Sequence, residues 1–202
     1  MNYKQLIKER IDNFHTNYVF IVNDFYDISG YETIKSTLNR MCKSEYIKRI
    51  MNGVYYKPKY FETLDTFSTP SPSKVAEAIA RKYNWNIIPA GETSLNILGL
   101  STQVSSKWIY ASDGRNIDIK YGNSIIKFKK ITNRDISNKS YLSALIIQAL
   151  KTLGKNKIKE KEIIYLKNKL TDKDKTLLLE ECKTTTIWTY QIIRKICEGI
   201  SV

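Results

Sequence analysis

The 202-residue chain has one histidine and three cysteines, and each shortage removes a class of chemistry. His15 ends a helical stretch with no serine, cysteine or metal partner beside it, so it reads as structural rather than as a general base. Cys42, Cys182 and Cys197 form an odd set without a CxxC pair, which speaks against a disulfide framework and a zinc site. Cys42 and Cys197 fall on apolar helix faces and are expected to be small buried hydrophobes. There is no HExxH, no phosphate-cradling glycine-rich loop and no Gly-x-Ser-x-Gly elbow, so Ser94 is not expected to be a nucleophile. No run approaches the about 18 apolar residues of a membrane span, and MNYKQLIKER lacks a signal-peptide core. The expectation is a cytoplasmic protein, not an enzyme, with no cofactor, no metal and no membrane partner.

Hydrophobic residues make up 42% and aromatic residues 11%, enough to bury a core. Net charge is +13 and the pI about 9.5, which favours a polyanionic or acidic partner. Lys, Ile and Asn are all abundant, so nucleotide bias accounts for part of that charge. Its local distribution says more. Thr33–Lys59 holds seven basic residues (Lys35, Arg40, Lys43, Lys48, Arg49, Lys57, Lys59) against Glu45 alone, whereas Met1–Glu32 holds three basic and five acidic residues.

The basic stretch lies within Asp24–Pro58, around which the chain is organised. Its spacing predicts a short helix, a turn at Gly30, a second helix and a tight β-hairpin. In the second helix Ile34, Leu38, Met41 and Cys42 form one apolar stripe. Lys35, Asn39 and Lys43 occupy other faces, beside Ser36 and Arg40. IKRI and VYYKP flank the turn residues Met51-Asn52-Gly53. This is the pattern of a winged helix-turn-helix, whose second helix enters the DNA major groove. The plain alternative is a solvated amphipathic helix beside an ordinary hairpin. On the DNA reading, Lys35, Ser36, Asn39 and Arg40 meet base or groove edges, since Arg and Asn can bond bidentately to guanine and adenine. Lys43, Lys48, Arg49 and Lys57 meet phosphates, with Asn52 at the wing tip.

Elsewhere, KQLIKERIDNF predicts a first helix and Tyr18–Val22 a small strand or the start of the next helix. TPSPS marks a joint, and a helix begins at Ser71–Ser73 with Val75, Ala76, Ile79, Ala80 and Tyr83 on one face. NIIP reads as a strand and GETSLNILG as a short helix. Alternation from Lys107 to Lys129 predicts a three-stranded antiparallel meander with Arg115, Asp118, Lys120, Lys127 and Lys129 on its outer face. That face is either a solvated surface or a second contact for nucleic acid or an acidic partner. Tyr141–Leu153 and three later segments, one a short run at Leu177–Leu179 and the last around Trp188, read as helices. The fold class expected is α+β: a winged helix-turn-helix over 1–60, a linker over 61–73, and a mixed domain over 74–202 with a small antiparallel sheet and a helical end.

Several of these segments together resemble the AbiE-type antitoxins, transcriptional regulators of type IV toxin–antitoxin pairs. The likeness rests on an aromatic-led helix, on Leu38-Asn39-Arg40-Met41, on IxR and on GVYYxP. It continues through TPSPSKVAEAIARKYNWNIIPAGETSLNILGLSTQ, WIYASDGRNIDIKYGNSIIKF and SALIIQALKTLG, and thins after about Lys155. Ser44-Glu45 departs from it, standing where relatives usually place a Gly. The resemblance implies an antitoxin used in phage defence that represses its own operon and counteracts a nucleotidyltransferase-like toxin. It also implies inverted-repeat operators loaded cooperatively by two protomers. The residues show no clear dimer interface, so the free protein is expected to be a monomer or weak dimer. The Gly-Ser and paired acids that such toxins need are absent. One enzymatic alternative remains: Asp118 and Lys120 form the D-x-K half of a metal-dependent nuclease, with Glu92 or Asp113 as a further ligand.

Overall fold

The computed structural model describes residues 2–103 and 107–199. These form an α+β protein of two compact units, the first made of residues 1–85 with 119–124 and the second of 86–118 with 125–202. In the first unit α1 (Tyr3–Asp12) leads to β1 (Val19–Ile21), a 3-10 turn (Val22–Phe25) and α2 (Tyr31–Lys43). Then come β2 (Lys48–Met51), β3 (Val54–Tyr56), the paired strands β4 (Tyr60–Phe61) and β5 (Thr66–Phe67), and α3 (Pro72–Tyr83).

The sheet order is β1-β3-β2, antiparallel throughout, with Phe20 opposite Tyr55 and Arg49 on the far side of Tyr55. Gly53 makes the β2–β3 turn possible, because its φ of 76° is costly for any residue with a Cβ. One sheet face gives Phe20 and Tyr55 to a core with Ile7, Ile11, Phe25, Ile34, Leu38 and Ile47. The alternation of the strands turns Val19, Ile21, Val54 and Tyr56 the other way, where α3 packs on β1 and β3. Arg81 of α3 fastens this layer, donating to Asp24 Oδ1 and Val19 O, each at 3.1 Å.

Two expectations need correcting here. The helix expected at Asp24 is a single 3-10 turn, and Asp24 caps its start: its Oδ2 accepts from Ile21 N–H at 2.9 Å. The segment 61–73 is no bare linker: it carries the β4–β5 hairpin, and the helix after it belongs to the first unit. Residues 119–124 also belong to that unit, where Tyr121 Oη donates to Pro70 O at 2.7 Å.

The second unit holds β6 (Ile87–Ala90), α4 (Glu92–Leu98) and β7 (Lys107–Ser112), the start of β8 (Ile117–Tyr121) and all but the first residue of β9 (Ser124–Lys130). The helices α5 (Tyr141–Leu153), α6 (Glu160–Lys169), α7 (Asp172–Glu181) and α8 (Ile187–Ile196) follow. The short helix expected at Leu177–Leu179 is thus part of a ten-residue one. The middle of α5, Ser143–Leu150, is buried in a core with Ile88, Ala111, Leu166, Leu178 and Ile193.

The sheet order is β6-β7-β9-β8, and β7 runs parallel to β9. The expected meander is therefore wrong in its topology. A meander would put β8 in the middle, yet β8 buries only Ile119, while β9 buries Ile126 and Phe128 completely. The strand that buries more apolar side chains takes the inner position. Residues 113–116 carry the chain across the end of β9: Asp113 accepts from the backbone and side-chain N–H groups of Asn86 at 2.9 and 2.7 Å, and Asn116 Oδ1 from Lys130 N–H at 2.7 Å.

Candidate nucleic-acid interface

Helix α2 buries Ile34, Thr37 and Leu38 and turns its remaining faces outward. Ser36, Arg40 and Lys43 are exposed, and Arg40 Nη2 donates to Ser36 Oγ at 3.2 Å, one helical turn away. Lys35 is half-buried, 3.7 Å from Glu32 and 5.3 Å above the ring of Tyr31. Arg49 is exposed on β2 and lies on the sheet face of Tyr55, the face that meets α2. One depression is lined by Asn39, Cys42, Lys43 and Arg49, and a second by Glu32, Lys35, Ser36, Asn39, Arg40 and Lys43. Helix and hairpin thus contribute side chains to a common basic surface whose acid, Glu32, sits at the helix N-terminus.

Asn39 has a restricted role on this surface. Its Oδ1 is closed off from solvent and has no hydrogen-bond partner in the described structure. Bidentate pairing to adenine needs both Oδ1 and Nδ2 facing outward, so Asn39 cannot read a base that way in the rotamer it adopts. Cys42 beside it is half-buried, and burial pushes its thiol up despite the opposing charges of Arg49 and Lys48.

Three other candidates are not gathered here. Strand alternation puts Lys48 on the sheet face opposite Arg49, with its ammonium 2.7 Å from Glu45 and 4.4 Å above the ring of Phe67. Lys57 is drawn to the end of α1, 2.9 Å from Asp12. There the hydrogen bonds from Lys57 and then Tyr46 hold the Asp12 carboxyl below its ordinary range. Asn52 is exposed at the hairpin tip as expected, but its carbonyl oxygen accepts from Lys82 Nζ of α3 at 2.5 Å. Lys82 braces the hairpin and was not among the residues singled out from the sequence. The only sequence signal was the basic last turn of α3, Arg81-Lys82, which the expected domain boundary assigned elsewhere.

The nuclease residues are dispersed. Asp118 pairs with Lys127 at 2.7 Å, Asp113 is held by Asn86, and Glu92 accepts from Ser101 at 3.1 Å. Among the described residues no group of three His, Cys, Asp or Glu side chains is placed to hold a metal ion. Among the same residues no helix is long and apolar enough to cross a membrane.

No curated protein matches this chain. A family model described as a family of unknown function (DUF6088) matches residues 6–178, and the chain belongs to that family.

Proposed function

We propose that the first unit is a winged helix-turn-helix that binds duplex DNA, and that the chain represses its own operon as the antitoxin of a type IV toxin–antitoxin pair. The observation that carries the DNA reading is the shared depression, which α2 and the β2–β3 hairpin border with Asn39, Cys42, Lys43 and Arg49. The connectivity supports it: helix, strand, turn, helix, hairpin, with β3 pairing back onto β1. That order sets a recognition helix and its wing on one scaffold, although a 3-10 turn replaces the usual first helix of the pair. Scale agrees as well. The 13 residues of α2 extend about 20 Å, and Ser36 to Lys43 spans roughly three base-pair steps.

The antitoxin part rests on the resemblance to AbiE-type antitoxins, which runs well into the second unit. On this reading the cognate toxin is nucleotidyltransferase-like, and the operator is built of inverted repeats that two protomers load cooperatively.

A gel-shift titration on the promoter upstream of the gene, against random duplex of equal length, tests the DNA reading. A promoter preference that Arg40→Ala removes is expected, and equal affinity for both duplexes sinks it. Growth rescue from the neighbouring gene's product by the full chain tests the antitoxin part separately. Absence of rescue by the full chain sinks that part and leaves DNA binding standing.

A further inference from the structure

Past β3 the chain folds back on itself in a hairpin. Tyr60 pairs with Phe67 and Phe61 with Thr66, and a 3-10 turn at Glu62–Leu64 ends at Asp65 in left-handed backbone. The base is anchored: Ser68 Oγ donates to Asn17 Oδ1 at 2.7 Å, and the Lys48 ammonium covers the ring of Phe67. Beyond the base, every residue from Lys59 to Thr66 is exposed. Three of them are large and apolar: Tyr60 (46%), Phe61 (39%) and Leu64 (71%).

A two-stranded hairpin is marginal in water by itself, and free strand edges bearing apolar side chains invite pairing. The charges divide along its length. Lys59 stands at the base with Lys48 close by, while Glu62 and Asp65 stand at the tip. Basic base, apolar middle and acidic tip complement themselves when two hairpins run antiparallel about a two-fold axis. Phosphate is repelled by such a tip, so the fitting occupant is protein rather than nucleic acid.

We propose that this hairpin is a two-fold interface for a second copy of this chain. Tyr60 and Phe61 meet their counterparts at its centre, Lys59 faces Glu62 of the second copy at both ends, and Leu64 of each tip packs beside the base of the other hairpin. The hairpin base adjoins Lys48, on the sheet face opposite Arg49, so pairing here leaves the α2 surface open. The inference does not depend on DNA binding.

Sedimentation velocity of the full chain at about 50 µM is expected to report a dimer that weakens with salt. Leu64→Glu and Phe61→Glu, made separately, should each give a monomer with unchanged far-UV circular dichroism. Lys59→Glu turns two attractive pairs per dimer into repulsive ones and should weaken association about tenfold. Adding Glu62→Lys should restore it, since both pairs are rebuilt with exchanged signs. A wild-type monomer at that concentration overturns the proposal, as does a dimer indifferent to both glutamate substitutions or a Lys59→Glu defect that Glu62→Lys leaves unrepaired.

Discussion

Glu45 and Lys48 hold each other at 2.7 Å where the chain leaves α2, and Glu45 does so from left-handed backbone with φ of 58°. Glu45 N–H donates to Cys42 O and Tyr46 N–H to Met41 O, at 3.1 and 3.0 Å, which is a Schellman motif with a side chain where glycine is usual. One residue therefore strains the helix exit and occupies a lysine that faces away from Arg49.

Glu45→Gly is expected to stabilise the protein, because relief of left-handed strain exceeds the loss of one exposed ion pair. Urea denaturation followed by circular dichroism reads this directly. The same substitution removes an acid beside the basic stretch, so affinity for random duplex should rise about threefold at low salt. A fall in stability would show that the ion pair outweighs the backbone strain.

Arg40→Ala and Lys43→Ala should fail in different ways. Loss of Arg40 is expected to cost about 1–3 kcal/mol on the preferred duplex and little on random duplex. Loss of Lys43 should weaken both alike and lower the slope of log affinity against log salt by about one. Fluorescence anisotropy across a salt series separates the two patterns.

Cys42 offers a probe of the same surface. With burial pushing its thiol up, it should alkylate more slowly than a free thiol at pH 8, and duplex DNA should slow it further. Cys182 and Cys197 are buried, with thiols pushed to about 12 and about 11. Their slow rates should not change with DNA. Mass spectrometry of alkylated peptides with and without duplex makes the measurement.

Acid stability should depend on Glu181. Burial opposes its charge, but Ser143, Ser140 and Lys139 outweigh that and hold the carboxyl below its ordinary 4.5. Its Oε2 accepts from the backbone N–H and the hydroxyl of Ser140, both at 2.8 Å, at the start of α5. A carboxylate with a lowered folded-state value stabilises fully above its unfolded value and loses that contribution as pH falls through the folded one. Glu181→Gln should therefore lower Tm at pH 7 and flatten the decline of Tm below pH about 4.5. An unchanged slope in that range would mean the acid limb belongs to other carboxylates.

Local signals account for what could be read without coordinates. The apolar spacing of Ile34 and Leu38 marked the buried stripe of α2, and Met51-Asn52-Gly53 marked a turn that needs positive φ at glycine. The α+β class followed from the change of period at Lys107. Asp24 misled, because it stands at the third position of a 3-10 turn and caps that turn through Ile21 N–H, and no helix follows from it.

The sequence by itself determined most of the elements and the charge they carry, since helical period, strand alternation and turn chemistry are set within a few neighbouring residues. Tertiary structure alone decided that β9 rather than β8 takes the middle of its sheet, that α3 covers β1 and β3, and that Lys82 reaches the carbonyl of Asn52. It also decided that Arg49, and not Lys48, lies on the sheet face that meets α2. The physical reason is common to all four: each depends on which distant segments compete to cover the same apolar face, and that competition is settled only once the chain has closed on itself.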